Sequence, residues 1–235
     1  MKRSTVVIFS ALVLVGLATG YLAYRYLRTP ATRTQQLFTW LRNPEGHSKW
    51  VVVSNHYCAG APFSMPTDGY IGYLWGDLFK LNHKHQGVDI FAGTLSGETA
   101  IYAVYDGYLT RQSDWVSSVI LRIPEDPLAP DQQIWVYYTH MADEAGKSFI
   151  SKDFPPGTND QFITAGTLLG YQGNYSGDPG NPTGTHVHLS IVRSDATGAY
   201  KNELNISNTL DPSPYFGLPL NSSLNHGEIP ICKNP

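Results

Sequence analysis

Nine short runs rich in β-branched and aromatic residues, most of them followed within two residues by Gly, Pro, Asn or Asp, are the strongest constraint on how this chain can fold. They are Trp50–Ser54, Tyr70–Trp75, Val88–Phe91, Ala100–Tyr105, Gly107–Arg111, Val116–Ile123, Ile134–Tyr138, Thr167–Tyr171 and His186–Val192. Such runs read as strands bounded by turns. With 22 Gly and 16 Pro and only 15% charged residues, the chain has little material for long charged helices. The expected architecture is all-β, a mainly antiparallel sheet, with Thr34–Leu41 supplying one or two helical turns. Asp106-Gly107 is a hairpin signal between two of the runs. Ala142–Thr158 and Gly173–Gly184 read as long irregular loops. The segment after Ser194 is loose and turn-rich and is expected on the domain surface.

The first residues are different in kind. Val6–Tyr24 is apolar for 19 residues, between Lys2-Arg3 and Arg25. That length suits a bilayer-spanning helix and is long for the apolar part of a signal peptide. The expectation is an N-terminal apolar helix, acting as a membrane anchor or as a cleaved signal, and an extracytoplasmic protein. The chain then divides into residues 1–28 (anchor or signal), 29–62 (linker and pre-domain segment), 63–218 (the domain) and 219–235 (a tail). Residues 1–33 carry five basic and no acidic side chains; the remainder has 11 Lys and Arg against 19 Asp and Glu, a net charge of −8. An acidic body without a basic stripe excludes nucleic acid as the partner. The two cysteines, Cys58 and Cys232, are too few and too distant for a zinc ribbon or a redox motif. In an exported chain they are expected to pair.

Three clusters carry chemistry. His186-Val-His188 lies on a strand, where alternate side chains share a face with Cα atoms ~7 Å apart. His85-Gln-Gly-Val-Asp89 pairs an imidazole with a carboxylate. Extended, these two would stand ~13 Å apart, so the chain must turn between them, and Gly87 permits a turn. His140 ends the strand Val136–His140. Two histidines and a carboxylate suffice for a catalytic zinc with one open position, leaving two histidines for proton transfer. Spacing alone does not separate His186 from His188 as the ligand, and His83 is a rival of the right type to His85.

Taken together, His85-Gln-Gly-Val-Asp-Ile90, Ala103-Val-Tyr-Asp-Gly107, Tyr138-Thr-His140, Ala165-Gly-Thr-Leu-Leu-Gly170 and Thr183-Gly-Thr-His-Val-His-Leu189 resemble the lysostaphin-type (LytM-like) zinc metallopeptidases. Tyr73-Leu-Trp-Gly76, Asp211-Pro212 and Tyr215 extend the resemblance over roughly residues 64–215. It implies a β fold with a narrow groove bounded by loops. It further implies one Zn2+ held by His85, Asp89 and His188, with His140 and His186 as the catalytic pair. The implied reaction is hydrolysis of peptide cross-links in bacterial peptidoglycan. A non-catalytic wall-binding or activator domain of the same fold, or a zinc peptidase acting on non-wall peptides, is the alternative. Thr139 departs from the glycine common beside the catalytic histidine. The loops at 124–133, 142–162 and 173–182 look longer than usual.

Overall fold

The computed structural model describes residues 19–20, 32–80 and 83–232. The expected N-terminal apolar helix lies outside the described residues but for Thr19 and Gly20; among the described residues no helix is long and apolar enough to cross a membrane. From Arg33 onward the chain is one compact unit. It begins with helix α1 (Arg33–Arg42) and a 3-10 segment, Glu45–Trp50. Thirteen strands follow among the described residues: β1 (Val51–Val52), β2 (Gly69–Tyr73), β3 (Leu78–Lys80), β4 (His83–Lys84), β5 (Val88–Phe91), β6 (Ala100–Tyr102), β7 (Gly107–Thr110), β8 (Val119–Ile123), β9 (Ile134–Thr139), β10 (Gln161–Ile163), β11 (Leu168–Tyr171), β12 (Val187–Arg193) and β13 (Thr209–Leu210). A one-turn helix, α2 (Ser213–Phe216), comes last.

The main sheet has the order β1-β2-β5-β12-β9-β8-β7-β10, with β13 also on β12, and every pairing is antiparallel. β6 pairs with β11, and β3 with β4, in two small sheets. The fold is therefore mostly antiparallel β with few helices. Alternation along the strands divides two faces. Val88, Ile90, Leu121, Val136, Tyr138, Leu189 and Ile191 enter one core with Phe63, Met65 and Ile101. Ile120, Trp135 and Val192 point the other way and form a second cluster. Asp89, Tyr137, Thr139, His188 and Ser190 alternate with the first set, so they are kept off the main core.

Several expectations change. Asp106-Gly107 does not make a hairpin: β6 and β7 lie in different sheets, and β7 pairs with β8 and β10. The Asp106 carboxylate instead accepts the Ala165 N–H at 2.7 Å. Gly107 is required by close approach, since a Cβ there would sit 2.5 Å from the Arg122 carbonyl oxygen. The helical segment runs ten residues rather than one or two turns, because its apolar positions Leu37 and Trp40 bury on one face. The segment after Ser194 is not confined to the surface. Tyr215, Phe216, Leu218 and Leu220 are in the main core, with Tyr215 and Phe216 against Phe63. Tyr215 Oη also donates to the buried Asp126 carboxylate at 2.7 Å. Four apolar residues within six positions are too few to display a period, so only packing reveals them.

Two devices hold the long connections. Buried Arg111 donates to the carbonyls of Trp115 and Phe154 and to Ser148 Oγ. The chain around 142–150 is further ordered by bridges to Ser148 and Gly170. Cys58 and Cys232 are joined by a disulfide that closes a loop of sequence separation 174. Closing so long a loop restricts the unfolded chain. Replacing both cysteines by serine is expected to lower unfolding free energy by ~2–5 kcal/mol. The check is a shift of the denaturant midpoint against the oxidised parent, with reductant abolishing the difference.

Candidate metal centre

The site grows from one cross-strand pair. In the β5–β12 register His188 stands directly opposite Asp89, and on its other side opposite Thr139 of β9. His188 Nδ1 lies 2.8 Å from Asp89 Oδ1. His85, just before β5, brings its Nε2 to 3.1 Å from the same carboxylate oxygen and 3.0 Å from His188 Nδ1. Three donor atoms thus close a triangle, and this trio could hold a metal ion. His83 is not part of it; its Nε2 lies 3.4 Å from Gln86 Nε2.

The chain does bend at Gly87, but not because a left-handed conformation is needed there. A Cβ at Gly87 would sit 2.1 Å from the Leu189 carbonyl oxygen and 2.7 Å from Ser190 Oγ. The glycine lets β12 come close enough for His188 to meet Asp89. Upstream, Asp77 shapes the turn that supports His85. Its carboxylate accepts the Leu74 N–H at 2.7 Å, its carbonyl accepts the His85 N–H, and Arg33 of α1 pairs with it at 3.1 Å.

Each imidazole has an outer partner that orients it. A carbonyl only accepts, so the nitrogen facing it must carry the proton. His85 Nδ1 donates to the Leu74 carbonyl at 3.0 Å, leaving the lone pair of Nε2 toward Asp89 and His188. His186 Nδ1 donates to the Gly184 carbonyl, and His140 Nδ1 to the Tyr175 carbonyl, each at 2.6 Å. Both therefore present an unprotonated Nε2 when neutral. His188 Nε2 lies 2.8 Å from Ser190 Oγ, which can accept its proton and free Nδ1 for the centre. These orienting groups left little trace in the sequence: three are backbone carbonyls, and Ser190 is one serine among many.

His140 and His186 are adjacent to the trio. Their rings are 4.4 Å apart, His186 Nε2 is 3.7 Å from Asp89 Oδ1, and the His186 ring stacks on Phe91 at 4.7 Å. His140 has a φ of 70°, an uncommon conformation for a non-glycine residue. The Tyr175 carbonyl that orients it comes from the Gly173–Gly184 loop, which is tied down where the Asn174 and Tyr175 N–H groups meet the Ala142 carbonyl. Gly173 itself packs on this backbone; a Cβ there would be 2.1 Å from the Ala142 carbonyl oxygen.

The charges are strongly coupled. Burial opposes ionisation of Asp89, but His85 and His186 and the hydrogen bonds from His188 and His85 hold it well below the usual carboxylate range. Burial also works against a charged His85, yet Asp89 outweighs it and the pKa is raised. Burial lowers His188, and it lowers His186 to about 4. A neutral imidazole at His186 is thus the form present at pH 7. Two imidazole lone pairs and a carboxylate within 3.1 Å of one another repel unless a proton or a cation lies between them. The donor set, two nitrogens and one oxygen with outer hydrogen bonds on both rings, fits a divalent ion such as zinc. A cleft of about 340 Å3 at the far end of β9 and β12, lined by Gln133, Arg193, Asp195 and Lys201, contains none of these residues.

Gly87→Ala should lose ~1–3 kcal/mol of stability through overpacking. It should also weaken binding of a divalent metal, because β12 is pushed away from Asp89. Denaturant titration and metal titration by calorimetry measure the two effects; parent-like metal affinity in this variant would count against the account of Gly87.

No family model matches the chain, and no curated protein matches it. Solved structures do resemble it. The catalytic domain of the antimicrobial peptidase lysostaphin from Staphylococcus simulans is 20% identical, with 63% of this chain and 92% of that one covered, at a TM-score of 0.41. The longer lysostaphin structure from the same organism is 19% identical, with 70% of this chain and 55% of that one covered, at a TM-score of 0.40. A mutant catalytic domain of the prophage-encoded M23 protein EnpA from Enterococcus faecalis is 23% identical, with 63% and 97% covered, at a TM-score of 0.37. The solved structures to which this chain is similar thus include lysostaphin and M23 catalytic domains.

Proposed function

We propose that this chain is a zinc metalloendopeptidase that hydrolyses peptide cross-links of bacterial peptidoglycan. The observation that carries the reading is the convergence of His85 Nε2, Asp89 Oδ1 and His188 Nδ1 to within 3.1 Å, with two further imidazoles beside them. The motif set around those five residues, which resembles the lysostaphin-type peptidases, supplies the substrate class. The apolar run Val6–Tyr24 supports export, with the domain extracytoplasmic and either anchored in the membrane or released by cleavage.

In this reading His85, Asp89 and His188 hold the ion, while Leu74 and Ser190 keep the two rings turned toward it. Bound Zn2+ supplies Lewis acidity, lowering the pKa of water and polarising the scissile carbonyl. His140 and His186 do the proton work. Each has its Nδ1 proton committed to a carbonyl, so Nε2 is the atom that accepts a proton from the attacking water. Once protonated, the same Nε2–H can donate to the developing oxyanion and then return the proton to the leaving amine. Phe91 covers one face of His186 and keeps water from it.

His186 and His188 should therefore fail differently. His188→Ala is expected to lose zinc and activity together. His186→Ala is expected to keep zinc and to lose about 10²–10⁴-fold in turnover, the usual worth of a positioned acid–base group. Elemental analysis of each variant, with mass spectrometry of fragments released from purified peptidoglycan with and without a chelator, tests both. A His188→Ala protein releasing fragments as fast as the parent would falsify the zinc-hydrolase reading. Fragment release by the parent that ignores the chelator would do the same.

A further inference from the structure

Gly76 turns the chain just ahead of the metal centre. Its φ of 87° lies in the left-handed region, and it holds the third position of the turn Leu74–Asp77. The Asp77 N–H closes that turn on the Leu74 carbonyl at 3.1 Å. Three hydrogen bonds tie His85 to it. The His85 N–H donates to the Asp77 carbonyl and the His85 carbonyl accepts the Gly76 N–H, each at 2.8 Å. Its Nδ1–H donates to the Leu74 carbonyl at 3.0 Å. The direction of the His85 ring is therefore only as fixed as residues 74–77.

What fixes those residues comes from the two ends of the described chain. Asp77 Oδ2 accepts the Leu74 N–H at 2.7 Å and meets Arg33 Nε of α1 at 3.1 Å. The same guanidinium donates from Nη2 to Asn225 Oδ1 at 2.9 Å. Asn225 is buried, and its amide donates to the Pro219 and Glu228 carbonyls at 3.0 and 3.1 Å. Beside it, the Trp75 N–H donates to the Leu220 carbonyl at 3.0 Å, and the Ser222 N–H to the Trp75 carbonyl at 2.9 Å. Arg33 thus clamps the turn against the C-terminal segment. Its side chain is 12% exposed and that of Asp77 19%. A neutral side chain at position 33 would leave the Asp77 charge desolvated and without its cation, a carboxylate drawn toward water and away from the Leu74 N–H. Helix α1 has a second, apolar hold on the domain, through Leu37 and Trp40 against Tyr70 and Phe91.

We propose that Arg33 is a positioning residue for the metal ligand His85. Through Asp77 it holds the turn whose Leu74 carbonyl aims the imidazole, so α1 belongs to the working metal site although it precedes the 64–215 stretch that carries the family resemblance. The proposal rests on the zinc reading above and extends it to a segment that supplies no ligand. Groups that orient a ligand are commonly worth about 10–100-fold in metal affinity, and Arg33, acting through Asp77 and Leu74, belongs at the lower end.

The test measures zinc affinity of the metal-free chain by competition with a chromophoric chelator, and the visible spectrum of the Co2+-loaded protein. Each variant is titrated below its own unfolding transition. Arg33→Gln is expected to weaken zinc binding about tenfold and to shift the Co2+ bands. Arg33→Lys, which returns a cation to Asp77, is expected to recover most of that affinity. Leu37→Ala loosens the apolar docking of α1 and keeps the ion pair; it is expected to lower the unfolding midpoint with parent-like zinc affinity and Co2+ spectrum. Parent-like affinity in Arg33→Gln overturns the positioning role. So does Arg33→Lys binding as weakly as Arg33→Gln, or an equal loss of affinity in Leu37→Ala, which would make Arg33 a stability contact only. None of these titrations needs a substrate, so they leave the peptidase reading to its own test. A parent that binds no zinc overturns the zinc reading, and the positioning role with it.

Discussion

The register between β5 and β12 is the constraint on which the site depends. It places His188 opposite Asp89 and, through β9, beside Thr139. A slip of β12 by one residue would send His188 into the apolar core, away from Asp89, and expose Val187 and Leu189. The apolar residues on the other face therefore enforce the polar geometry on this one. Burying Val88, Ile90, Val187, Leu189 and Ile191 stabilises by roughly 1.5–3 kcal/mol each, and only the observed register buries all of them. The charged cluster, costly to desolvate, is held by packing energy that it does not itself provide.

Around that register the protein spends backbone rather than side chains on orientation. The carbonyls of Leu74, Gly184 and Tyr175 each fix a ring nitrogen. All three belong to irregular connections, where carbonyls are not consumed by the ladder. The connections are in turn constrained: Asp77 and Arg33 brace the turn beneath Leu74, and Gly173 packs the Tyr175 loop on the Ala142 backbone. Four imidazoles thus have their outer nitrogens spoken for, and the inner nitrogens of His85, His188 and His186 lie within 3.7 Å of one Asp89 oxygen.

Much of the strand pattern was legible in sequence, because a run of β-branched residues closed by a turn has few other uses. Val88–Phe91 is observed with those bounds, and Ile134–Tyr138 and Thr167–Tyr171 shift by a residue. The strands β3, β4, β10 and β13 escaped, being two or three residues long and without an apolar run. Asp106-Gly107 misled because a local turn signal says nothing of which sheet the next strand joins. In sequence Gly87 signals only a turn, whereas its neighbour in space, Leu189, is what excludes a side chain. A close approach between residues 102 positions apart has no local signature.

The sequence by itself determined the cast: short strands, an apolar first segment, and histidines and an aspartate in the pairs 85/89 and 186/188 with 140 between. It also determined that His186 and His188 share a face, since strand geometry has a period of two. Spacing left His186, His188 and His83 open and the family resemblance implied His188 and His85; the tertiary structure brings those two together with Asp89. It decided, too, which nitrogen of each ring faces inward. Those outcomes depend on strand register and on carbonyls far away in the chain, and neither is encoded in the spacing of side chains.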